Sequence, residues 1–234
     1  MTQPNSPERG TYVRNMFGRI ARRYDLLNRV MTFGQDRSWR RHSIDLLSPP
    51  EAAKILDLGS GTGDMSIEIR KQFPESMVVA VDFTPEMMSY GRKRNGGETI
   101  LWVVADVHNL PFSPESFHGV TSGFLMRNVP DVNPVLGEQN RVLKSGGQCI
   151  CLDTTPPRRS LLSPILDFHL NSVIPRMGSL LAGDMEAYQY LPSTTEGFLP
   201  AEILAQRMVS AGFTKVRFTR LMLGTIAIHW GCKA

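Results

Sequence analysis

The stretch "LDLGSGTGD", residues 56–64, sets Gly59, Gly61 and Gly63 at alternate positions, with Asp57 before them and Asp64 after. Glycine lets a loop turn tightly and lets a ligand rest on bare backbone, because no Cβ stands in the way. The dinucleotide fingerprint G-x-G-x-x-G cradles a pyrophosphate, and a phosphate loop adds a lysine. Here the spacing is G-x-G-x-G, no lysine follows, and two carboxylates flank the loop. Carboxylates repel phosphate and attract cations. The ligand this predicts is a nucleoside carrying a sulfonium and an ammonium group, S-adenosylmethionine.

Two further aspartates extend the prediction. Asp82 closes the apolar run "MVVAVD" (77–82), 19 residues after Gly63, where a carboxylate accepts hydrogen bonds from both ribose hydroxyls. Asp106 closes "TILWVVAD" (99–106), placed to meet an adenine amino group, with Val107 adding backbone and apolar contact. Thr62 inside the loop and Phe83 after Asp82 complete the expected donor-binding set.

These residues need strands that end together. "AKILDL" (53–58), "MVVAVD", "TILWVVAD", "SFHGVTSGF" (116–124) and "GGQCICLD" (146–153) read as buried strands. "MSIEIRKQF" (65–73), "PEMMSYGRKR" (85–94) and "NPVLGEQNRVLK" (133–144) read as the helices between them. Such alternation predicts an α/β, doubly wound, mainly parallel Rossmann-like sheet, with ligands beyond the C-terminal strand ends. The 234 residues suit a single domain spanning 1–234.

Two segments fall outside the alternation. Residues 13–24 put Val13, Met16, Phe17, Ile20, Ala21 and Tyr24 on one helical face and Arg14, Arg19, Arg22 and Arg23 largely on the other. Such a helix, within an amphipathic segment over about 10–45, either packs on the domain or serves as a lid or a membrane-surface helix whose arginines meet phosphates. "LLSPILDFHLNSVIPRMGSLLAG" (161–183) sits where a helical cap, about 158–190, would cover a strand-end crevice.

Composition narrows the classes. Hydrophobic content of 41% and charged content of 21% are ordinary for a globular chain, and the net charge of +4 is mildly basic. Cys149, Cys151 and Cys232 make neither a disulfide framework nor a metal-ligand set. Two apart in an apolar run, Cys149 and Cys151 point to one face of a strand and read as core. "MTQPNSPERG" has no apolar leader and no run approaches the ~18 apolar residues of a membrane span, so a cytoplasmic protein, peripheral to a membrane at most, is expected. No N/D-P-P-Y/F/W stretch or basic-aromatic tract marks a nucleic-acid partner, and nothing marks an oligomeric state.

The glycine loop, its aspartates and the hairpin-like "FTKVRFTRL" and "GTIAIHWGCK" (213–233) resemble the class I methyltransferases, whose sheet carries an antiparallel strand near its C-terminus. A narrower resemblance spans nearly the whole chain. "FGRIARRYDLLNRVMTFGQDRSWRR" (17–41), "RNVPD" (127–131), "RVLKSGG" (141–147), "YQYLPSTTEGF" (188–198) and "LGTIAIHWGCK" (223–233) resemble the quinone-biosynthesis C-methyltransferases. These methylate demethylmenaquinol or a polyprenyl-benzoquinol. The resemblance implies C-methylation of a polyprenylated quinol, with a naphthoquinol favoured. It places Tyr24, Asp25, Asn28 and Tyr190 in the quinol pocket. The sequence departs from the family at Leu27, Ser145 and Asp153-Thr154, and at Leu125-Met126, where glycine-leucine is usual; Leu125 bears on ring selectivity. The alternative reading is a class I methyltransferase for another small aromatic or lipid substrate.

Carbon methylation requires a nucleophilic ring carbon ortho to a phenolic oxygen, and hence a reduced quinol and a group that stabilises the phenolate. Arg127 is the catalytic candidate as a cation or water-positioning group, since a guanidinium does not serve as a base. Asn128 is the candidate for orienting the ring oxygen. His229 reads as packed, and His108 is the better-placed histidine.

Overall fold

The computed structural model describes residues 16–19, 21, 25–26, 28–29, 32–157 and 198–234. Seven strands form one sheet in the order β3-β2-β1-β4-β5-β7-β6. They are β1 (Lys54–Leu58), β2 (Met77–Asp82), β3 (Leu101–Val104), β4 (Phe117–Gly123), β5 (Leu143–Thr154), β6 (Phe213–Leu221) and β7 (Ile226–Lys233). The first five run parallel, and β7 is antiparallel to both β5 and β6. This is the doubly wound sheet with an antiparallel C-terminal strand that the sequence predicts. Successive strands step outward from β1 to β3, then restart at β4 on the other side of β1. The crevice at that reversal is where an open α/β sheet binds its ligands.

The helices are α1 (Gln35–Asp45), α2 (Asp64–Gln72), α3 (Pro85–Arg92), α4 (Val132–Val142) and α5 (Ala201–Ser210). Alternate strand residues feed two cores, as the period of two demands. Leu56, Leu58, Val79, Val81, Val120, Cys149 and Cys151 pack with Val135 and Leu136 of α4 and Leu204 and Met208 of α5. Ile55, Val78, Ala80, Ile150 and Ile228 face the other way, onto Trp39 and Ile44 of α1 and Met65, Ile67 and Ile69 of α2. The two cysteines are core residues, as their spacing predicts.

Local chemistry sets the helix starts. Pro85 occupies the first turn of α3, where its missing N–H costs nothing. Asp131 caps α4 by accepting the Asn133 N–H at 2.9 Å. The expected helix 133–144 ends at Val142, and β5 begins at once, because the fully buried Leu143 pairs with Phe117 of β4. The expected strand 99–106 is shorter, since Gly97–Thr99 forms a 3-10 turn and the chain leaves the sheet after Val104. Asp106 therefore lies just beyond its strand.

The described part of the N-terminal segment is helical at residues 16–19, 21, 25–26 and 28–29. Met16 and Ala21 are buried, so the apolar face packs inward there. Tyr24, Tyr190 and the cap expected at 158–190 lie outside the described residues, apart from Thr155–Pro157 leading toward it.

Candidate active site

The glycine loop leaves the C-terminal end of β1 and turns into α2. Gly59 sits at φ +62°, and a Cβ there would stand 2.8 Å from Leu125 Cδ1, so bare backbone is required by conformation and contact together. Gly63, at φ +83°, is bare on the same two grounds with another neighbour: its Cβ would stand 2.5 Å from Trp102 Cη2. At Gly61, φ +56°, a Cβ would stand 3.3 Å from Met87 Cε, so each loop glycine is matched to a side chain of the fold. The Gly63 contact seats the loop on β3.

Asp82 crosses from β2 to hold this loop. Its Oδ2 accepts the Gly61 N–H at 2.7 Å, and its Oδ1 accepts the Thr84 N–H at 2.7 Å. Burial pushes its pKa up, and those backbone hydrogen bonds pull back against it. The Thr84 side chain and the Phe83 N–H also act on this carboxylate, so it is a firmly anchored acceptor beside the loop. Phe83, beside it, presents an exposed ring. Asp106 lies past β3 and accepts the His108 N–H at 2.9 Å and meets the His108 ring Nδ1 at 2.7 Å. Partial burial raises its pKa, and the His108 hydrogen bonds outweigh it, leaving the carboxyl below its usual range. Val107 is buried behind it. A glycine loop, an anchored carboxylate and an exposed ring at adjacent strand ends fit an adenosyl ligand.

The loop's flanking aspartates have other partners. Asp57 is fully buried, accepting Ser66 Oγ–H at 2.5 Å and Thr121 Oγ1–H at 3.0 Å. Burial dominates and raises its pKa to about 6. It braces the loop from below, tying β1 to α2 and β4. Asp64 bonds Arg94 at 2.5 Å and lies 3.6 Å from Arg40. Burial would raise its pKa, but the two guanidiniums hold it below the usual carboxylate range. The expectation that both carboxylates face a bound cation is revised here: Asp64 is neutralised by arginines from α1 and from the turn after α3.

Asp25 comes from the N-terminal segment to the same loop. Its Oδ1 accepts the Thr62 hydroxyl at 2.6 Å and its Oδ2 lies 3.2 Å from Arg94. The family resemblance places Asp25 with the quinol, and the fold brings it against the donor loop. Asn28 offers its carbonyl to the Thr32 N–H at 2.9 Å and hydroxyl at 2.7 Å, closing the turn before α1.

Across the crevice, β4 ends in the 3-10 turn Met126–Asn128. Arg127 is buried against Asp153 of β5: Nη1 donates to Oδ1 at 2.7 Å and the backbone N–H to Oδ2 at 3.2 Å. Phe124, at φ +61°, holds its ring centroid 4.8 Å from the Arg127 guanidinium and 5.1 Å from that of Arg40. Asn128 Nδ2 donates to the Phe124 carbonyl at 2.9 Å, closing the turn. His229 is buried, with Nε2 2.8 Å from the Ala201 carbonyl oxygen, and burial lowers its pKa. It is a packed residue. Among the described residues, no group of His, Cys, Asp and Glu is arranged to hold a metal.

The sequence profile of the ubiE/COQ5 methyltransferase family matches residues 5–233. The chain belongs to that family. It is 45% identical over 225 residues to the ubiquinone/menaquinone biosynthesis C-methyltransferase UbiE of Desulfotalea psychrophila, covering 96% of this chain and 92% of that one. Identity to the demethylmenaquinone methyltransferase of Roseiflexus castenholzii is 40% over 230 residues, covering 98% and 97%. A S-adenosylmethionine-dependent methyltransferase of Thermotoga maritima, described as a possible histamine N-methyltransferase, shares the fold. Its TM-score is 0.67 at 19% identity, over 94% of this chain and 99% of that one. The protein is thus an S-adenosylmethionine-dependent methyltransferase, and the loop, Asp82 and Phe83 are the residues suited to its donor.

Sequence reasoning missed four residues that brace the glycine loop and Arg127. Arg40, Arg94 and Trp102 support the glycine loop, and Asp153 holds Arg127. Arg94 lies 30 or more positions from its loop partners, beyond the reach of any local pattern. The "DT" departure at 153–154 was the one available signal for Asp153.

Proposed function

We propose that this methyltransferase methylates a ring carbon of a reduced polyprenylated quinol, demethylmenaquinol, in quinone biosynthesis. Near-full-length identity to relatives named for that chemistry supports the reading. The observation that carries it is the seat of Leu125 on Gly59, which sets the Arg127 turn directly beside the donor loop. S-adenosylmethionine supplies an already activated methyl group, so the protein's work is alignment and control of charge. Arg127 offers a fixed cation to the developing phenolate, and Asp153 keeps the guanidinium in place. Phe124 and Leu125, both half-buried, add apolar surface beside the Arg127 turn. Tyr24, Asp25, Asn28 and Tyr190 belong to the quinol side of this reading.

The test is to incubate the protein with methyl-labelled donor and either reduced demethylmenaquinol or a reduced polyprenyl-benzoquinol, then weigh the products. One ring methyl added, faster on the naphthoquinol, is expected. Donor binding without product from either quinol would overturn the substrate assignment.

A polyprenyl tail resides in a bilayer, and we infer a weak electrostatic association with anionic membrane through Arg19, Arg22 and Arg23. Met16 and Ala21 face inward, and no helix of the described residues is long and apolar enough to cross a membrane, which favours surface attraction over insertion. Each arginine contributes roughly 1 kcal/mol near such a surface, screened by salt. Replacing all three with glutamine should lower vesicle binding and spare turnover of a short-tailed quinol; equal loss of both would remove the membrane role.

A further inference from the structure

We propose that Arg94 is a positioning residue that fixes the donor loop and, through Asp25, joins donor binding to the N-terminal wall of the quinol site. The inference rests on the methyl-donor reading of the loop. Arg94 lies just past the end of α3 and belongs to no motif. Its Nη1 donates to the Thr62 carbonyl at 2.8 Å and lies 3.2 Å from Asp25 Oδ2, while Nη2 donates to Asp64 Oδ1 at 2.5 Å. One guanidinium therefore holds the middle of the loop, its end and the N-terminal segment.

The peptide between Thr62 and Gly63 is pinned at both edges. Its N–H donates to the Ser60 carbonyl at 2.8 Å, and its C=O accepts from Arg94. The preceding Gly61 N–H is the group that binds Asp82, so the orientation fixed by Arg94 is passed to the carboxylate suited to the ribose. Asp25 closes a ring by accepting the Thr62 hydroxyl while facing Arg94. The acids Asp25, Asp36 and Asp64 are balanced by Arg40 and Arg94, with the charge of Arg29 also acting on Asp64. These pairs are largely shielded, the Asp64 side chain being 13% exposed and that of Arg94 26%, so charge-assisted hydrogen bonds here outweigh surface pairs. A lysine keeps the charge but cannot reach three partners with a planar fork.

The experiment compares Arg94→Gln, Arg94→Lys, Asp25→Asn and the Asp25→Asn/Arg94→Gln double variant. Donor affinity is measured by calorimetry without quinol, beside thermal midpoints and quinol KM at saturating donor. Arg94→Gln should weaken donor binding about tenfold or more, the scale for a lost charge-assisted hydrogen bond. Arg94→Lys should recover part of that, quinol KM should rise, and the double variant should lose less than the product of the single losses. A lowered thermal midpoint with wild-type donor affinity would make Arg94 merely structural and overturn the proposal. Multiplicative losses would overturn the link to Asp25. If Arg94→Gln does not fold, Arg94→Lys and Asp25→Asn carry the same readouts. Since donor binding is read without quinol, a wild type that binds donor yet methylates no quinol would sink the substrate assignment alone.

Discussion

Arg127 and Asp153 form a buried ion pair, with the guanidinium and the backbone N–H of the same arginine engaging both oxygens of one carboxylate. Sequence proximity suggests Asp131 as the partner, but Asp131 caps α4. The geometry changes how Arg127 can be tested. Arg127→Leu strands Asp153 unpaired in the interior, which should cost about 3–5 kcal/mol of stability. It should also lower kcat on the order of a hundredfold, as for loss of one charge stabiliser. Arg127→Leu combined with Asp153→Leu should regain most of the stability and none of the turnover. Denaturant melts and single-turnover rates separate the two effects, and a double variant that recovers turnover would exclude Arg127 from the chemistry.

Asp57 gives the fold a pH signature. Its pKa is raised to about 6 from 3.8, so between those values the folded state holds a proton that the unfolded state has released. Stability from this group is present below pH ~4 and lost as pH rises through about 6. The two-unit span corresponds to about 3 kcal/mol. Asp57→Asn should lack that fall, whatever its absolute stability. Urea melts of both proteins between pH 4.5 and 7.5 should diverge, the variant gaining on the wild type as pH rises. Parallel curves would show that Asp57 ionises normally.

Asp82→Ala removes the carboxylate that holds the Gly61 and Thr84 N–H groups and that the sequence assigns to the ribose. Donor affinity should fall at least tenfold, corresponding to about 1.5–3 kcal/mol for charge-assisted hydrogen bonds. Asp82→Asn keeps an acceptor and should fall less. Calorimetric titration of folded variants checks both, and unchanged affinity in Asp82→Ala would move the ribose elsewhere.

The sheet and the identity of the methyl donor were legible because their signals are local. Buried parallel strands read as apolar runs, Asp82 stands at a strand end, and the glycines declare their loop. What the loop's glycines do was less legible: Gly63 answers Trp102, 39 residues away, which only the pairing of β2 with β3 brings near. What Asp57 and Asp64 hold within the fold was hidden for one reason. Their partners Thr121, Arg40 and Arg94 arrive from other elements. Charge pairing across a fold leaves no periodicity to detect.

Leu125 stands where the family resemblance expects glycine, and its Cδ1 occupies the space above Gly59. The side chain is therefore a wall between the donor loop and the Arg127 turn. Removing it in Leu125→Gly should enlarge the crevice and relax discrimination between naphthoquinol and benzoquinol. A single methylene in an apolar pocket is worth roughly 10–200-fold in kcat/KM, so a shift of about tenfold in the ratio is expected. A purely structural loss would lower both rates together and leave the ratio unmoved. The same contact predicts non-additivity with Gly59→Ala, whose Cβ would collide with Leu125. In the wild type that collision should add about 1–3 kcal/mol to the strain of alanine at positive φ. In the Leu125→Gly background only the backbone strain should remain. A double-mutant cycle read by thermal and denaturant melts decides it, and additive costs would place Leu125 away from Gly59 in solution.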